Sequence, residues 1–205
     1  MTTYIGKEEV TIKDLTFVPW ISQEKIQEQI KRLAKEISNE YRDKNPLFIG
    51  ILNGAFVFCS DLVRNLEFFD CSIEFCRVAS YVGTQSTEKI TELIGLKNNL
   101  KGRHVVFVED IIDTGLTMSS LVQSIQKLEP ESVKICTLFY KPANLKVKLN
   151  PEFIGFTIEP KFILGYGLDI DEWARNMKDI WVLKSHYTQQ TDIVKSEQCT
   201  VCTQF

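Results

Sequence analysis

Between Pro19 and about Asn45 apolar residues recur three and four positions apart, at Ile26, Ile30, Leu33, Ile37 and Tyr41, and form the stripe of an amphipathic helix that Ser22 could cap at its start. The next apolar segment differs. PLFIGIL (46–52) is a continuous run too short for a helix and bounded by Pro46 and Asn53-Gly54, which predicts a strand covered on both faces. The alternation then repeats with a short helix near Ala55–Leu66, strands over Ser72–Ser80 and His104–Val108, a helix after Gly115 and a strand over Val133–Tyr140. Strands alternating with helices predict an α/β domain built on a mainly parallel, twisted sheet. In the helix after Gly115, Leu121, Ile125 and Leu128 share one face that fits such a sheet. Beyond Tyr140, shorter strand-like pieces at Phe153–Phe156, Phe162–Leu164 and Ile180–Leu183 are separated by Pro and Gly and predict an edge or a small flap. The stretch YVGTQSTEKITELIG (81–95) is polar at its start and longer than the usual connection, a length often found in active-site lids.

A chain of 205 residues fits one domain with a substantial core, and 44% hydrophobic with 25% charged residues argues against disorder or a fibrous repeat. A net charge of −3 supplies no general attraction for nucleic acid or an anionic membrane surface. The start, MTTYIGKEEVTIKD, carries charges where a secretory signal needs an apolar core, and no later run approaches the roughly 20 apolar residues of a membrane span. These features predict a soluble, cytoplasmic protein. Cys59, Cys71, Cys76 and Cys136 lie in apolar segments where reduced thiols pack as small hydrophobes. Cys199 and Cys202 form a CxxC in the tail, but His104 and His186 do not supply the matching spacing of a zinc site.

The chemistry concentrates at residues 105–117, VVFVEDIIDTGLT, where an apolar run meets Glu109, Asp110 and Asp113 and then turns on Thr114-Gly115. A soluble strand has no structural need for clustered carboxylates, and in open α/β sheets ligands collect at the carboxyl ends of the strands. The residues after Asp113 enter a helix, whose first N–H groups lack internal partners and whose dipole favours an anion. Hydroxyls at Thr114 and Thr117 and close backbone approach at Gly115 complete a cradle for phosphate. Carboxylates beside an anion site are reconciled by a ligand carrying both phosphate and hydroxyls, with Mg²⁺ between them. A sugar phosphate meets that description, its hydroxyls donating to the carboxylates in bonds worth roughly 1.5–3 kcal/mol each. Taken singly, each residue reads as a solvated strand end or a helix cap; the string as a whole does not.

The string is neither a Walker A loop nor a dinucleotide-binding glycine fingerprint. It resembles the phosphoribosyl pyrophosphate signature of the type I phosphoribosyltransferases. Further segments resemble the purine salvage branch of that family, the hypoxanthine-guanine phosphoribosyltransferases: ILNGAF (51–56) its pyrophosphate loop, Ser80-Tyr81 its lid dipeptide, Lys141 its base-reading lysine and KFILGYGLD (161–169) its purine-stacking strand. With Arg175 downstream, the matches cover about residues 47–183.

The resemblance implies the type I phosphoribosyltransferase fold over 1–205, with about 1–18 and 150–190 contributing to a small hood and 191–205 forming a tail. It implies that Glu109 and Asp110 hold ribose hydroxyls, that Asp113, Thr114, Gly115, Leu116 and Thr117 hold the 5′-phosphate, and that Asp113 is the general base near N7 of the purine. Leu52, Asn53, Gly54 and Arg175 would bind pyrophosphate, and Ser80 and Tyr81 would close over the site. Lys141 would donate to a 6-oxo group, which favours 6-oxopurines over adenine, while Phe162 would stack on the ring and Ile163 and Asp169 would line the purine site. Glu109, Asp110 and Asp169 are the implied Mg²⁺ ligands. The implied reaction joins hypoxanthine or guanine to phosphoribosyl pyrophosphate, giving IMP or GMP and pyrophosphate, in a homodimer or homotetramer.

One departure stands out. Many relatives carry lysine after the leucine of the pyrophosphate loop, where this chain has Asn53, so the family's cis peptide would fall at Leu52-Asn53 and the loop would lean on backbone N–H groups. Ala79 stands where some relatives place a basic residue, and Arg77 lies two positions earlier. Two other readings compete. A regulator that senses phosphoribosyl pyrophosphate and binds nucleic acid should show a basic patch or an added helix-turn-helix, and neither is visible. An enzyme of the same fold could instead use xanthine or another base.

Overall fold

The computed structural model describes residues 8–82, 89–94, 99–186 and 193–194. Its centre is a seven-stranded sheet in the order β11-β8-β7-β6-β3-β4-β5. These strands are β3 (Leu47–Leu52), β4 (Ser72–Val82), β5 (Lys89–Ile94), β6 (His104–Ile112), β7 (Ser132–Tyr140), β8 (Phe153–Ile158) and β11 (Ile193–Val194). Neighbours from β8 through β4 run parallel, and the edge strands β5 and β11 run antiparallel. The buried β3 explains its sequence: every residue from Leu47 to Ile51 is inaccessible, so it reads as one unbroken apolar run.

Helix α1 (Gln23–Tyr41) lays Ile26, Ile30, Leu33, Ala34, Ile37 and Tyr41 on one face of this sheet beside α2 (Phe56–Arg64), which contributes Phe58, Cys59 and Leu62. On the opposite face α3 (Leu116–Gln126) buries Met118, Leu121 and Ile125. Leu128 does not join them; it is half exposed because the helix ends at Gln126, before its face returns to the sheet. A second sheet of four strands stands apart, ordered β1-β2-β10-β9 and formed by β1 (Val10–Ile12), β2 (Leu15–Ile21), β9 (Ile163–Leu164) and β10 (Ile180–Leu183).

Several elements differ from the sequence reading. Pro19 lies in β2, and α1 starts only at Gln23. Ser22 holds the N-cap position, but its side chain caps no backbone N–H of the helix; the Gln23 N–H donates to Asp179 Oδ1 at 2.8 Å instead. The strand expected to end at Val108 continues to Ile112, because Ile111 and Ile112 pair with Phe139 and Tyr140 and a ladder made of backbone groups tolerates carboxylates on its side chains. The segment from Phe153 is no edge flap. It is β8, parallel to β7, with Phe139 and Phe156 stacked 5.4 Å apart under α1. Part of the stretch expected to form a lid loop is β5, paired antiparallel with β4; residues 83–88 and 95 lie outside the described residues.

The thiols of Cys59, Cys71, Cys76 and Cys136 are free, and burial pushes those of Cys59 and Cys76 up to about 12, which keeps them protonated and apolar in character. Cys199, Cys202 and the rest of 195–205 lie outside the described residues. Among the described residues no helix is long and apolar enough to cross a membrane.

Candidate functional site

Where β6 leaves the core, its side chains turn from Val108 to Glu109 and Asp110. Burial raises the Glu109 carboxyl well above its ordinary range, and the adjacent charge of Asp110 adds to that. Asp110 is raised by burial too, against opposing hydrogen bonds from Glu109 and the Ile111 N–H and the charge of Arg175. Both carboxyls are thus held above their ordinary values, chiefly by burial. Glu109 Oε2 is buried without a hydrogen-bond partner, an orphan that a ligand hydroxyl or a cation could satisfy.

The chain then turns. Gly115 has φ of +74°, a left-handed conformation that calls for glycine, and a Cβ there would stand 2.9 Å from the flexible end of Leu145 at Cδ2. The first bond of α3 runs from the Ser119 N–H to the Gly115 carbonyl at 2.9 Å, which leaves the preceding amides aimed out of the helix end. Glu109, Asp113, Thr114, Gly115 and Thr117 line one cleft of about 160 Å³ together with Ile111, Ile112 and Met118. Leu116 points away from it and is 45% exposed.

Lys141, at the end of β7, is buried and reaches Asp113 Oδ2 with its Nζ at 2.8 Å. Asn144 donates to the other oxygen, Oδ1, also at 2.8 Å. Desolvation opposes ionisation of Asp113, but the bonds from Lys141 and Asn144 and the lysine charge outweigh it and hold the carboxyl below its ordinary value. Sequence reasoning missed Asn144. It sits in a single 3-10 turn, Pro142–Asn144, with no periodicity to single it out, and it reaches Asp113 because residues after β7 pack on the Gly115 turn, where Lys146 N–H donates to the Thr114 carbonyl.

The loop after β3 approaches from the other side. Leu52-Asn53 is a cis peptide, as the resemblance implies. A Cβ on Gly54 would collide with the Asp110 carboxylate, so glycine lets this loop close on the end of β6. Leu52 pairs in register with Arg77 on β4, and Arg77 Nη2 donates to Asn53 Oδ1 at 2.7 Å. Ser80 and Tyr81 lie further along β4, with side chains outside the described residues.

The segment 161–175 meets this loop at Gly167, where a Cβ would stand 2.1 Å from the Gly54 carbonyl oxygen. Arg175 donates to the Gly167 carbonyl at 2.9 Å and pairs with Asp169 at 2.9 Å, while the second Asp169 oxygen accepts the Glu172 N–H at 2.7 Å. Arg175 Nε is buried with no partner among the described residues. Ile163 is buried in β9, and Phe162 just before it is 38% exposed with its ring 5.9 Å from that of Phe17. A partly buried cluster fastens this segment to the helices: Tyr166 OH donates to Asp61 on α2, and Gln27 Nε2 donates to Asp61 at 2.6 Å.

Glu109, Asp110 and Asp169 offer the hard oxygens that a magnesium-like cation prefers, with the orphaned Glu109 Oε2 as the best fit and the doubly bonded Asp169 as the poorest. Among the described residues no cluster of three or more His, Cys, Asp or Glu forms a metal cage. Such a partial shell suits Mg²⁺, which binds through one or two carboxylates and takes further ligands from substrate phosphates.

The profile of the phosphoribosyl transferase domain matches residues 22–171. The chain is 43% identical over 169 residues to the hypoxanthine-guanine-xanthine phosphoribosyltransferase of Tritrichomonas foetus, which covers 82% of this chain and 92% of that one. It is 39% identical over 165 residues to the hypoxanthine-guanine phosphoribosyltransferase of Bacillus subtilis, covering 80% of this chain and 91% of the relative. The crystal structure of a hypoxanthine-guanine phosphoribosyltransferase from Bacillus anthracis superposes with a TM-score of 0.74 at 37% identity, across 80% of this chain and 97% of that one.

Proposed function

The chain belongs to the phosphoribosyl transferase family, and from that membership we propose that it works in purine salvage, moving the 5-phosphoribosyl group of phosphoribosyl pyrophosphate to hypoxanthine or guanine and releasing pyrophosphate. The observation that carries the reading is the cleft in which Glu109, Asp113 and the α3 turn face one space, since an activated ribose needs acceptors for its hydroxyls next to donors for its phosphate.

In this mechanism the amides and hydroxyls of Thr114, Gly115, Leu116 and Thr117 hold the 5′-phosphate. Glu109 and Asp110 accept the ribose hydroxyls. Lys141, parked on Asp113 in this structure, moves its ammonium to the 6-oxo group of the incoming purine, leaving Asp113 held by Asn144 and open to N7. As the bond from the purine nitrogen to C1 forms, the C1–oxygen bond breaks and pyrophosphate leaves with the electron pair; Asp113 takes the purine proton. Phe162 stacks on the ring, with Ile163 and Asp169 beside it. Leu52, Asn53, Gly54 and Arg175 hold the leaving group, and Ser80 and Tyr81 close over the oxocarbenium-like transition state against water. Family membership implies a divalent metal; Mg²⁺ at Glu109, Asp110 and Asp169 would absorb the charge that grows on pyrophosphate.

We read the protein as one catalytic domain with a hood, working in the cytoplasm as a homodimer or homotetramer. Exposed apolar side chains support the assembly: Phe69, Ile73 and Phe75 on and before β4 are 97%, 45% and 40% exposed, and Phe56 on α2 is 44% exposed. Purified protein mixed with Mg²⁺ and phosphoribosyl pyrophosphate should convert hypoxanthine and guanine to IMP and GMP and leave adenine unchanged. Xanthine belongs in the same assay, since the Tritrichomonas relative is named for it. Absence of product with every purine would overturn the function.

A further inference from the structure

We infer that Arg77 binds the pyrophosphate of the substrate, supplying from β4 the positive charge that the loop itself lacks at Asn53. The inference rests on the phosphoribosyltransferase reading and extends it to a residue outside the loop.

Three observations converge. Arg77 stands opposite Leu52 in the parallel β3-β4 ladder, so its side chain starts level with the cis peptide at Leu52-Asn53. Its Nη2 donates to Asn53 Oδ1 at 2.7 Å, which draws the guanidinium onto the loop. That bond uses one of the five N–H donors of a guanidinium and ends on a neutral oxygen, so it orients the group without cancelling its charge. Arg175, the other arginine near the loop, is differently placed. It pairs with Asp169 and Glu172 and donates to the Gly167 carbonyl, so two carboxylates offset its charge and its fork is turned toward the hood.

The chemistry follows from this division. Pyrophosphate departing from C1 gains negative charge, and a planar fork of donors beside the loop matches phosphate geometry better than a side-chain amide. Asn53 acts as the positioning residue, its side-chain oxygen holding the Arg77 guanidinium at the loop. A neutral loop residue and an arginine on the neighbouring strand together do what a single cationic loop residue would do.

Steady-state kinetics of the full chain with hypoxanthine tests this. Arg77→Met should raise KM for phosphoribosyl pyrophosphate about tenfold or more, the worth of one charge-assisted hydrogen bond, and raise KM for pyrophosphate similarly in the reverse reaction. KM for hypoxanthine should change by less than about twofold, since no purine contact is touched. Arg77→Gln, which keeps a donor for Asn53 but no charge, should match the Met variant, and Arg77→Lys should recover part of the loss. The double variant Arg77→Met with Asn53→Lys should return KM toward the starting value. A KM for phosphoribosyl pyrophosphate unchanged in Arg77→Met, a Gln variant equal to the parent, or equal rises in both substrates' KM would overturn the inference. Failure of the parent protein to form nucleotide would instead strike the underlying function.

Discussion

The two halves of the site are built on opposite plans. The half to which we assign the ribose phosphate comes from one uninterrupted stretch, Glu109 to Thr117, in which a strand, a turn and a helix start follow one another and line a single cleft. The half to which we assign pyrophosphate is assembled from three separate segments: the loop after β3, Arg77 on β4 and the 161–175 segment that carries Asp169 and Arg175. A contiguous site inherits its geometry from local backbone rules, whereas an assembled one depends on how the sheet and hood meet. Substitutions in the first half should therefore act through the turn itself, and substitutions in the second should couple binding to packing.

The largest effect is expected at Asp113. Asp113→Asn removes the proposed proton acceptor but keeps the side-chain shape, so kcat should fall by about 10²–10⁴, the usual contribution of a general base, while KM for phosphoribosyl pyrophosphate stays within about threefold. Equal losses in both would mean that Asp113 serves the phosphate and not the base. A smaller effect belongs to the turn. Gly115→Ala forces a side chain into a left-handed backbone and against Leu145, at a cost of about 1–3 kcal/mol in urea unfolding, and should raise KM for phosphoribosyl pyrophosphate while leaving KM for hypoxanthine unchanged. If both KM values rose together, the turn would not be a separate phosphate cradle.

Titration sharpens the same half. The Lys141 and Asn144 bonds hold Asp113 below its ordinary value of 3.8, so Asp113 is ionised throughout the neutral range. A depressed carboxyl adds stability that is fully present above the unfolded value and is lost as pH falls through the folded one. Parent and Asp113→Asn proteins should thus differ in stability by a constant amount above about pH 5 and converge below 3.8, which thermal unfolding across that range would reveal. Convergence already near neutral pH would show that Asp113 is not held ionised.

The plan of each half also decides what the sequence discloses. Acidic residues running into Asp113-Thr114-Gly115 are legible because strand end, turn and helix start are neighbours in the chain. Asn144 is not, because nothing in a three-residue turn after β7 says that residues packed on Gly115 will carry it back to Asp113. The bond between Arg77 and Asn53 depends on β3 and β4 pairing in register, a fact of sheet order that hydrophobic period does not encode. The same holds for β8, whose short run, interrupted by Gly155, reads as an edge until the sheet shows it between β7 and β11. Periodicity names elements; pairing and the ends of pairing come from packing.

The smallest predicted effect tests whether the assembled half depends on its fastening. Tyr166 leaves the hood segment and buries its hydroxyl against Asp61 on α2, the helix that follows the Asn53-Gly54 loop, and Gln27 on α1 bonds to both. Burial and the Asp61 carboxylate push the tyrosine hydroxyl far above its ordinary range, so it remains a donor at any working pH. Tyr166→Phe removes that donor but keeps the ring, and Asp61 retains the Gln27 amide and the distant Arg64 at 3.9 Å. The cost in urea unfolding should be about 1 kcal/mol, the net worth of one hydrogen bond. Because Tyr166 lies between Ile163 and Asp169, loosening it should raise KM for hypoxanthine about two- to fivefold while kcat at saturation and KM for phosphoribosyl pyrophosphate hold steady. Loss of stability with no change in either KM would show that the clasp holds the fold alone, and that the two halves differ in how they are built but not in what disturbs them.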